Sequence, residues 1–167
     1  MIYIQLIGIL AFCIFVLSYY RKTTAEILTY QVTGNAIYFI HYFLLKALSG
    51  AFLCIVDMIR DLIFIKKRKH KKIIYFIFIT IYMIVTYIFY ENILSLLPMF
   101  GDFVSLTVIV QNKKKNVIMG GIISSTIWLI YNFFVHSYSG VITEAILIVS
   151  NIYVMYRNKK LVIEKHN

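Results

Sequence analysis

Residues 127–140 read IWLIYNFFVHSYSG, and residues 37–50, ninety positions earlier, read IYFIHYFLLKALSG. The similarity extends over residues 35–69 and 125–159, where aromatic residues align, a Ser-Gly pair recurs and a basic cluster closes each window. The aligned pairs are Ile37/Ile127, Tyr38/Trp128, Ile40/Ile130, Phe43/Phe133, Ser49/Ser139, Gly50/Gly140 and Lys69/Lys159. This pattern predicts one structural unit that occurs twice.

The composition indicates that lipid surrounds most of the chain. Of the 167 residues, 61% are apolar and only 14% are charged, which is more apolar surface than a soluble domain of this size can bury. The formal net charge of +10 does not indicate nucleic-acid binding, because the basic residues form short clusters between long apolar runs, as in the cytoplasmic loops of membrane proteins. We therefore expect an all-α membrane protein whose main partner is the lipid bilayer, with no nucleic-acid partner.

Seven segments are long enough to cross about 30 Å of hydrocarbon as helices. They cover residues 2–20, 25–45, 49–65, 73–90, 92–110, 117–135 and 139–156. Of the 17 Lys and Arg residues, 15 lie in alternate connectors and in the C-terminal tail. Because basic loops favour the cytoplasm, this distribution predicts seven transmembrane helices with the N-terminus outside and the C-terminus inside.

The third segment is the least apolar of the seven. It carries Asp57, Arg60 and Asp61, each of which costs about 2.5–3.5 kcal/mol near the centre of a transmembrane helix. The segment could instead lie on the membrane surface, but six spans would then force a basic cluster to the outer side. Arg60 can pair with Asp57 at i,i+3, which lowers the cost of a span. We expect a span in which Asp57, Arg60 and Asp61 form a structural ion network.

The repeat predicts three regions: a first three-helix bundle over residues 1–69, a linker helix over 70–91, and a second bundle with a cytoplasmic tail over 92–167. Gly8 aligns with Gly101 after a three-residue shift, which extends the repeat to spans one and five. Joining two three-span copies in parallel requires one extra crossing, and span four, which has no charged or amide side chain, is read as a lipid-facing linker. Parallel repeats of this kind occur in small-solute transporters, with the substrate site near the midplane.

The segment TIWLIYNFFVHSYSGVITEAILIVSN resembles the second and third helices of the SWEET and SemiSWEET sugar transporters, which have a PQ-loop-like fold. Their two three-helix bundles around a linker helix match the organisation described above. The chain from YIQLIGILAF through GNAIYFIHYFLLKALSGAFLCIVDMIRDLIF resembles the bacterial inner-membrane YgjV family over nearly its full length. The resemblance implies a multi-pass protein of the bacterial inner membrane with a SWEET-like fold.

In the SWEET-like pattern, an aromatic residue on the second helix and an Asn on the third, sixteen residues later, flank the bound solute. The resemblance assigns the aromatic positions to Trp128 and Tyr38, and the Asn positions to Glu144 and Cys54. Neither copy keeps the amide that could both donate and accept hydrogen bonds with sugar hydroxyls, which puts a sugar substrate in doubt. Glu144 could bind a cation or carry a proton.

Polar side chains at helical spacing mark the inner faces of the predicted bundles without reference to any family. Such groups are costly against lipid, so they should face the bundle interior. There they either line a cavity or form interhelical hydrogen bonds worth about 0.6 kcal/mol each. Both alternatives apply to Asn35, Ser125, Asn132 and Asn151.

Asp102 lies well inside span five, with Pro98 one turn earlier and Gly101 beside it. A Pro and a Gly at this depth can open the helix and free backbone carbonyls. Asp102 either binds solute or a proton, or it has a structural role by pairing with Arg60 or by staying protonated. The full set of predicted substrate-binding residues is Trp128, Glu144, Tyr38, Cys54, Asn35, Ser125 and Asp102.

The sequence carries no positive signal for catalysis. No nucleophile-base pair, phosphate-binding Gly loop or HExxH spacing occurs, so we expect no enzyme, no catalytic residue and no cofactor. His41 and His136 lie near the outer ends of spans two and six, where an imidazole is usually solvated or hydrogen-bonded. Neither has a nearby Cys or His partner along its helix, so we expect no metal site.

The repeat and its polar faces predict a transporter that moves a small polar solute by alternating access of one bundle against the other. The alternative is an integral membrane protein that does not transport and serves as a scaffold or regulatory partner. A membrane-embedded enzyme would require an open cavity with two carboxylates within reach of each other. The sequence leaves a homo-oligomer open.

Overall fold

A computed structural model describes residues 2–18, 21, 24–66, 70–111 and 114–164, and it is helical almost throughout these ranges. The helices are α1 (Ile2–Ser18), α2 (Thr24–Leu44), α3 (Leu48–Lys66), α4 (Lys71–Ile88), α5 (Leu96–Gln111), α6 (Lys114–Phe134) and α7 (Tyr138–Glu164). A 3₁₀ turn, Ile93–Ser95, precedes α5. The prediction of an all-α protein with seven helices is confirmed for the described residues, and α7 runs further than the predicted 156.

Large apolar side chains cover the outside of the protein. Tyr3, Phe76, Tyr87, Phe133 and Val149 are all more than 60% exposed, which is the surface expected of helices that face lipid. Within the described ranges, three helical segments are both long and apolar enough to cross a membrane: Lys71–Ile88, Ile93–Gln111 and Tyr138–Arg157. The segments Ile2–Ser18 and Ile118–Phe134 are apolar but shorter.

Helices α2 and α3 do not meet that criterion, although both were predicted as spans. Their mean hydropathy is lowered by polar side chains such as Asn35 and His41 on α2 and Arg60 and Asp61 on α3. These four side chains are buried, each less than 10% exposed. The polar groups therefore face other helices, while several large apolar side chains of α2 and α3, such as Ile40, Phe43 and Ile59, are exposed.

The two turns at the ends of the quoted stretches have the same backbone geometry. Lys46 and His136 both adopt left-handed conformations, with φ of 61° and 57°. The amide of Ala47 donates to the carbonyl of Tyr42 at 3.0 Å, and the amide of Ser137 donates to the carbonyl of Asn132 at 2.9 Å. Each turn is a Schellman motif that ends one helix, and three residues separate that helix from the next.

The helix contacts follow the order of the chain. Helix α2 packs on α1 and α3, and α6 packs on α5 and α7. Helices α1–α3 also meet helices α5–α7, with α1 packing on α7 and α3 packing on α5. In the predicted repeat, α5 is the counterpart of α1 and α7 is the counterpart of α3. The α1–α7 contact therefore corresponds to the α3–α5 contact. We call the end of the protein that carries the turns 45–47 and 135–137 the turn end, and the opposite end, where α2, α4 and α6 begin, the basic end.

The sequence predicted that α4 faces lipid, but only part of its surface does so. One of its faces packs on α3 and α5 and buries Phe78, Tyr82 and Thr86, spaced four residues apart. The Tyr82 hydroxyl reaches Asp57 and Arg60 of α3, which gives α4 a polar contact with the interior. The other face of α4 is exposed and apolar, as predicted.

The predicted opening of span five at Pro98 is also wrong. Helix α5 begins at Leu96, so Pro98 lies in the first turn, where a missing amide hydrogen costs nothing. The helix then continues without a break through Asp102 to Gln111. The Gly101 carbonyl accepts a hydrogen bond from the Ser124 hydroxyl at 2.8 Å, which ties α5 to α6.

The contact between α1 and α7 depends on a glycine. A methyl group at Gly8 would lie 2.8 Å from the Ser139 Cβ and from the His41 ring, closer than atoms can pack. We expect Gly8→Ala to lower the free energy of unfolding by about 1–3 kcal/mol, although Ala favours helix. Gly121→Ala is the matched control, because its new methyl meets only the end of the Asn151 side chain, at 3.0 Å. Equal unfolding curves for the two variants in mixed micelles would contradict this close approach.

Candidate functional site

A cavity of about 500 Å³, lined by both polar and apolar side chains, lies between the helices. It extends from Lys71 at the basic end to Tyr42 below the turn end. All seven predicted substrate-binding residues line this cavity: Asn35, Tyr38, Cys54, Asp102, Ser125, Trp128 and Glu144. They lie on five helices, α2, α3, α5, α6 and α7, and only the tertiary packing brings these helices together.

Contacts between the two repeats close the cavity at the turn end. The Tyr42 hydroxyl donates to the Asn132 side-chain oxygen at 2.7 Å, and both residues are buried. These two positions are ninety residues apart, so the predicted repeat makes them equivalent. Asn132 belongs to the closure and not to the cavity wall, because it bonds Tyr42 and does not line the cavity.

His41 connects three segments beside this closure. Its Nδ1 lies 2.8 Å from the Ile4 carbonyl and must donate, so its Nε2 accepts from the Ser137 hydroxyl at 2.8 Å in the neutral ring. Ser137 in turn accepts from the Gly140 amide at 3.3 Å. Sequence reasoning expected a solvated or hydrogen-bonded imidazole at the outer end, and His41 is fully buried and hydrogen-bonded on both nitrogens.

Tyr131 makes the equivalent connection from the other repeat. Its hydroxyl accepts from the Gly50 amide at 3.1 Å and lies 3.2 Å from the Ser49 hydroxyl. Tyr131 and Ser49 are the counterparts of His41 and Ser139, whose side chains are 3.5 Å apart. The turn end is thus closed by matching contacts on the two sides of the Tyr42–Asn132 pair.

Three aromatic rings form one wall of the cavity. The Tyr38 and Tyr42 rings stack with their centroids 5.5 Å apart, and the Trp128 ring lies 5.9 Å from Tyr42. The Tyr38 hydroxyl donates to Thr143 at 2.6 Å, since Thr143 uses its own proton on the Ser139 carbonyl. These bonds fix the orientation of the wall, which contains the only tryptophan of the chain.

Asp102 adjoins this wall on α5 and is 2% exposed. One carboxylate oxygen accepts from the Trp128 indole N–H at 3.0 Å, and the other is buried with no hydrogen-bond partner among the described residues. The sequence offered an ion pair with Arg60 as one structural role for Asp102. Among the described residues, Asp102 forms no such ion pair. Gly101 permits the contact, because a side chain there would collide with the Trp128 ring.

The positions given by the SWEET resemblance face the same space. Glu144 lines the cavity on α7 with the Ser125 hydroxyl of α6 beside it. Cys54 is a buried free thiol on α3, and Asn35 is buried on α2. The two copies therefore contribute different chemistry at equivalent positions, a carboxyl on one side and a thiol on the other.

Arg60 holds together an ion network on the α3 side of the cavity. Its guanidinium lies 2.7 Å from an Asp57 oxygen and 2.9 Å from an Asp61 oxygen. The Tyr82 hydroxyl of α4 donates to the same Asp57 oxygen at 2.6 Å and accepts from Arg60 at 3.1 Å. The network thus fastens α4 to α3, while its three charged residues also line the cavity.

Sequence reasoning missed several polar residues at the site. Gln31 lines the cavity one turn before Asn35 on the same face of α2, so the helical spacing could have identified it. Thr143 and Ser124 also line it, and Tyr82 completes the ion network. Tyr82 gave a weak signal, because an aromatic residue in an apolar helix faces lipid as readily as protein. Within the described ranges, no three His, Cys, Asp or Glu side chains are grouped closely enough to hold a metal ion.

Comparison with known families matches residues 2–161 to the family Imp-YgjV, described as bacterial inner membrane protein. No curated protein and no solved structure matches the chain. The match covers nearly all of the seven helices, including every residue that lines the cavity. The chain belongs to the Imp-YgjV family of bacterial inner membrane proteins.

Proposed function

We propose that this protein transports a small polar solute across the inner membrane by alternating access. In this proposal all seven helices span the membrane, and α1–α3 and α5–α7 form two parallel three-helix bundles joined by α4, as in the SWEET-like plan. The solute binds in the cavity between the bundles. The observation that carries the proposal is a cavity with many polar side chains in its wall that reaches the basic end and is closed at the turn end by contacts between the two proposed bundles.

Three features support the parallel arrangement. The turns at Lys46 and His136 have the same conformation and the same hydrogen bonds. The α1–α7 contact has its counterpart in the α3–α5 contact. The equivalent residues Tyr42 and Asn132 meet each other. All three are expected if a two-fold axis along the membrane normal relates the bundles.

The distribution of charge supports an orientation with the basic end in the cytoplasm. Arg21, His70 and Lys71 belong to the connectors at that end, and Lys46 is the sole Lys or Arg in the turn-end connectors. The start of α1 lies at the turn end, where Ile4 and Gln5 contact His41 and the 135–137 turn. The positive-inside bias then places the N-terminus outside and the closed end of the cavity toward the outer side.

The turn-end closure has the properties of a gate. It consists of a few hydrogen bonds and aromatic contacts between two bodies, so opening it requires no bundle to unfold. Rocking one bundle against the other would separate Tyr42 from Asn132 and expose the cavity to the outer side. Transporters with internal repeats work by this kind of rigid-body movement around a fixed site.

Thiol labelling from each side of the membrane tests the proposal without knowledge of the solute. In a variant in which Cys13 and Cys54 are replaced by Ala, Ser125→Cys places a thiol in the cavity wall. A membrane-impermeant thiol reagent should react from the basic side and, about 10- to 1,000-fold more slowly, from the turn side, because the outward-open state is a minor one.

Thr126→Cys is the matched control, since Thr126 is the next residue of α6 and faces outward, where a water-borne reagent does not reach. It should stay unlabelled from both sides. A scaffold or regulatory protein with a fixed cavity gives labelling of Ser125→Cys from the basic side alone, however long the reaction continues. That result would contradict alternating access.

A further inference from the structure

The cavity combines unpaired carboxyl groups with an aromatic wall, and this combination restricts the chemistry of its ligand. Four acidic residues line it, Asp57, Asp61, Asp102 and Glu144, against two basic residues, Arg60 and Lys71. Arg60 is already held by Asp57 and Asp61, and Lys71 lies at the mouth, in the first turn of α4. Neither Asp102 nor Glu144 forms an ion pair among the described residues.

Asp102 is the clearest of these groups. Its second oxygen is buried, makes no hydrogen bond to the described residues and belongs to a side chain that lines the cavity. A buried carboxylate oxygen without a partner is costly, and a donor or a positive charge placed in the cavity would remove that cost. An anion would instead meet two carboxyl groups and no free cation in the middle of the cavity.

The aromatic wall favours the same class of ligand. The Tyr38, Tyr42 and Trp128 rings follow one another in a row that ends next to Asp102, with successive centroids less than 6 Å apart. The faces of such rings attract ammonium groups, and the attraction is strongest for Trp and in sites shielded from water. The volume of about 500 Å³ accommodates a cation that carries several carbon atoms.

We infer that the cavity binds a small organic monocation, a protonated amine or quaternary ammonium compound, with its charge between Asp102 and Glu144 and its carbon atoms against Trp128. The inference rests on the proposed transport function for its physiological meaning, since it names the class of solute that the cavity takes. As a statement about binding it can be tested separately, because the cavity is present in the purified protein.

Trp128 supplies a reporter without any label. It is the only tryptophan of the chain and lies in the cavity wall, so its fluorescence responds to a ligand at the site. The probes are choline and 3,3-dimethyl-1-butanol, which have the same shape but differ in the presence of the positive charge. With the intact protein in lipid nanodiscs, choline should bind about 30-fold more tightly than its neutral isostere.

Carboxylate variants identify the residues responsible. Asp102→Asn and Glu144→Gln should each reduce the preference for choline about tenfold, while Glu91→Gln, an exposed carboxylate outside the cavity, should leave it unchanged. The comparison of the two probes on the unaltered protein needs no variant, so misfolding of a variant cannot hide the answer. Equal or tighter binding of the neutral probe, or no change in Trp128 fluorescence with choline, would overturn the inference.

The labelling experiment at Ser125 distinguishes this failure from failure of the transport proposal. Two-sided labelling together with no choline preference would reject the cation and keep transport. Choline binding together with labelling from one side alone would keep the cation site and reject transport.

Discussion

Replacing Arg60 by Met should lower the free energy of unfolding by about 3–5 kcal/mol. Arg60 is 5% exposed and its guanidinium pairs with both Asp57 and Asp61, so its removal leaves two acidic side chains in the interior without a cation. The Tyr82 hydroxyl also loses the hydrogen bond that it accepts from Arg60, which weakens the contact of α4 with α3. Unfolding in mixed micelles, followed by the loss of helical circular dichroism, measures the change.

The control for this prediction removes the charges together. The triple variant Asp57→Asn, Arg60→Met and Asp61→Asn should recover most of the lost stability, because amides cost less to bury than unpaired carboxylates. Arg60→Met with unchanged stability would show that water or lipid headgroups solvate the network. Equal losses in the single and triple variants would mean that packing of the Arg60 side chain, and not its charge, stabilises the helices.

Cross-linking position 42 to position 132 should abolish access to the cavity from the turn side. The Tyr42–Asn132 pair joins α2 to α6, the middle helices of the two proposed bundles, so a covalent bridge there should prevent the bundles from separating. A short bifunctional thiosulfonate is needed for Tyr42→Cys with Asn132→Cys, because a Tyr and an Asn side chain joined end to end hold the backbones further apart than a disulfide spans. Quenching of Trp128 by caesium ions added to the turn side of oriented vesicles reports the access.

Phe43→Cys with Phe133→Cys is the matched control for the bridge. These positions follow the gate residues directly, have the same ninety-residue spacing and face outward, at 51% and 63% exposure. The reagent should leave their turn-side quenching unchanged, and a reducing agent should restore quenching in the bridged gate variant. Persistence of turn-side quenching after complete cross-linking would show that solutes reach the cavity by another route.

Much of the fold could be predicted from the sequence because its signals are local. Apolar runs separated by basic connectors predicted the helices to within about four residues, except that α7 continues from the predicted 156 to Glu164. The recurring Ser-Gly pair located the two similar turns. The errors concern α4 and the start of α5. Tyr82 looks like any lipid-facing aromatic residue until its hydroxyl meets Arg60, and Pro98 breaks a helix or begins one depending on where the preceding turn ends.

The candidate site follows the same division. Helical spacing was sufficient to place Asn35, Tyr38, Ser125 and Trp128 on inner faces, because a polar group in an apolar helix avoids lipid. The spacing could not distinguish a cavity wall from a closed contact. Asn132 was a candidate on the same terms as Ser125, yet it lies in the closure and bonds Tyr42, while Ser125 lies beside Glu144 in the cavity.

The sequence by itself determined which residues form helices and which helix faces are polar, since both depend on local composition and spacing. The tertiary structure decided which polar groups neutralise each other. Arg60 is used by Asp57 and Asp61, and Asp102 holds Trp128 with one oxygen and leaves the other free. These pairings depend on distances of about 3 Å between helices that are far apart in the chain, and only the packing of the bundle sets such distances.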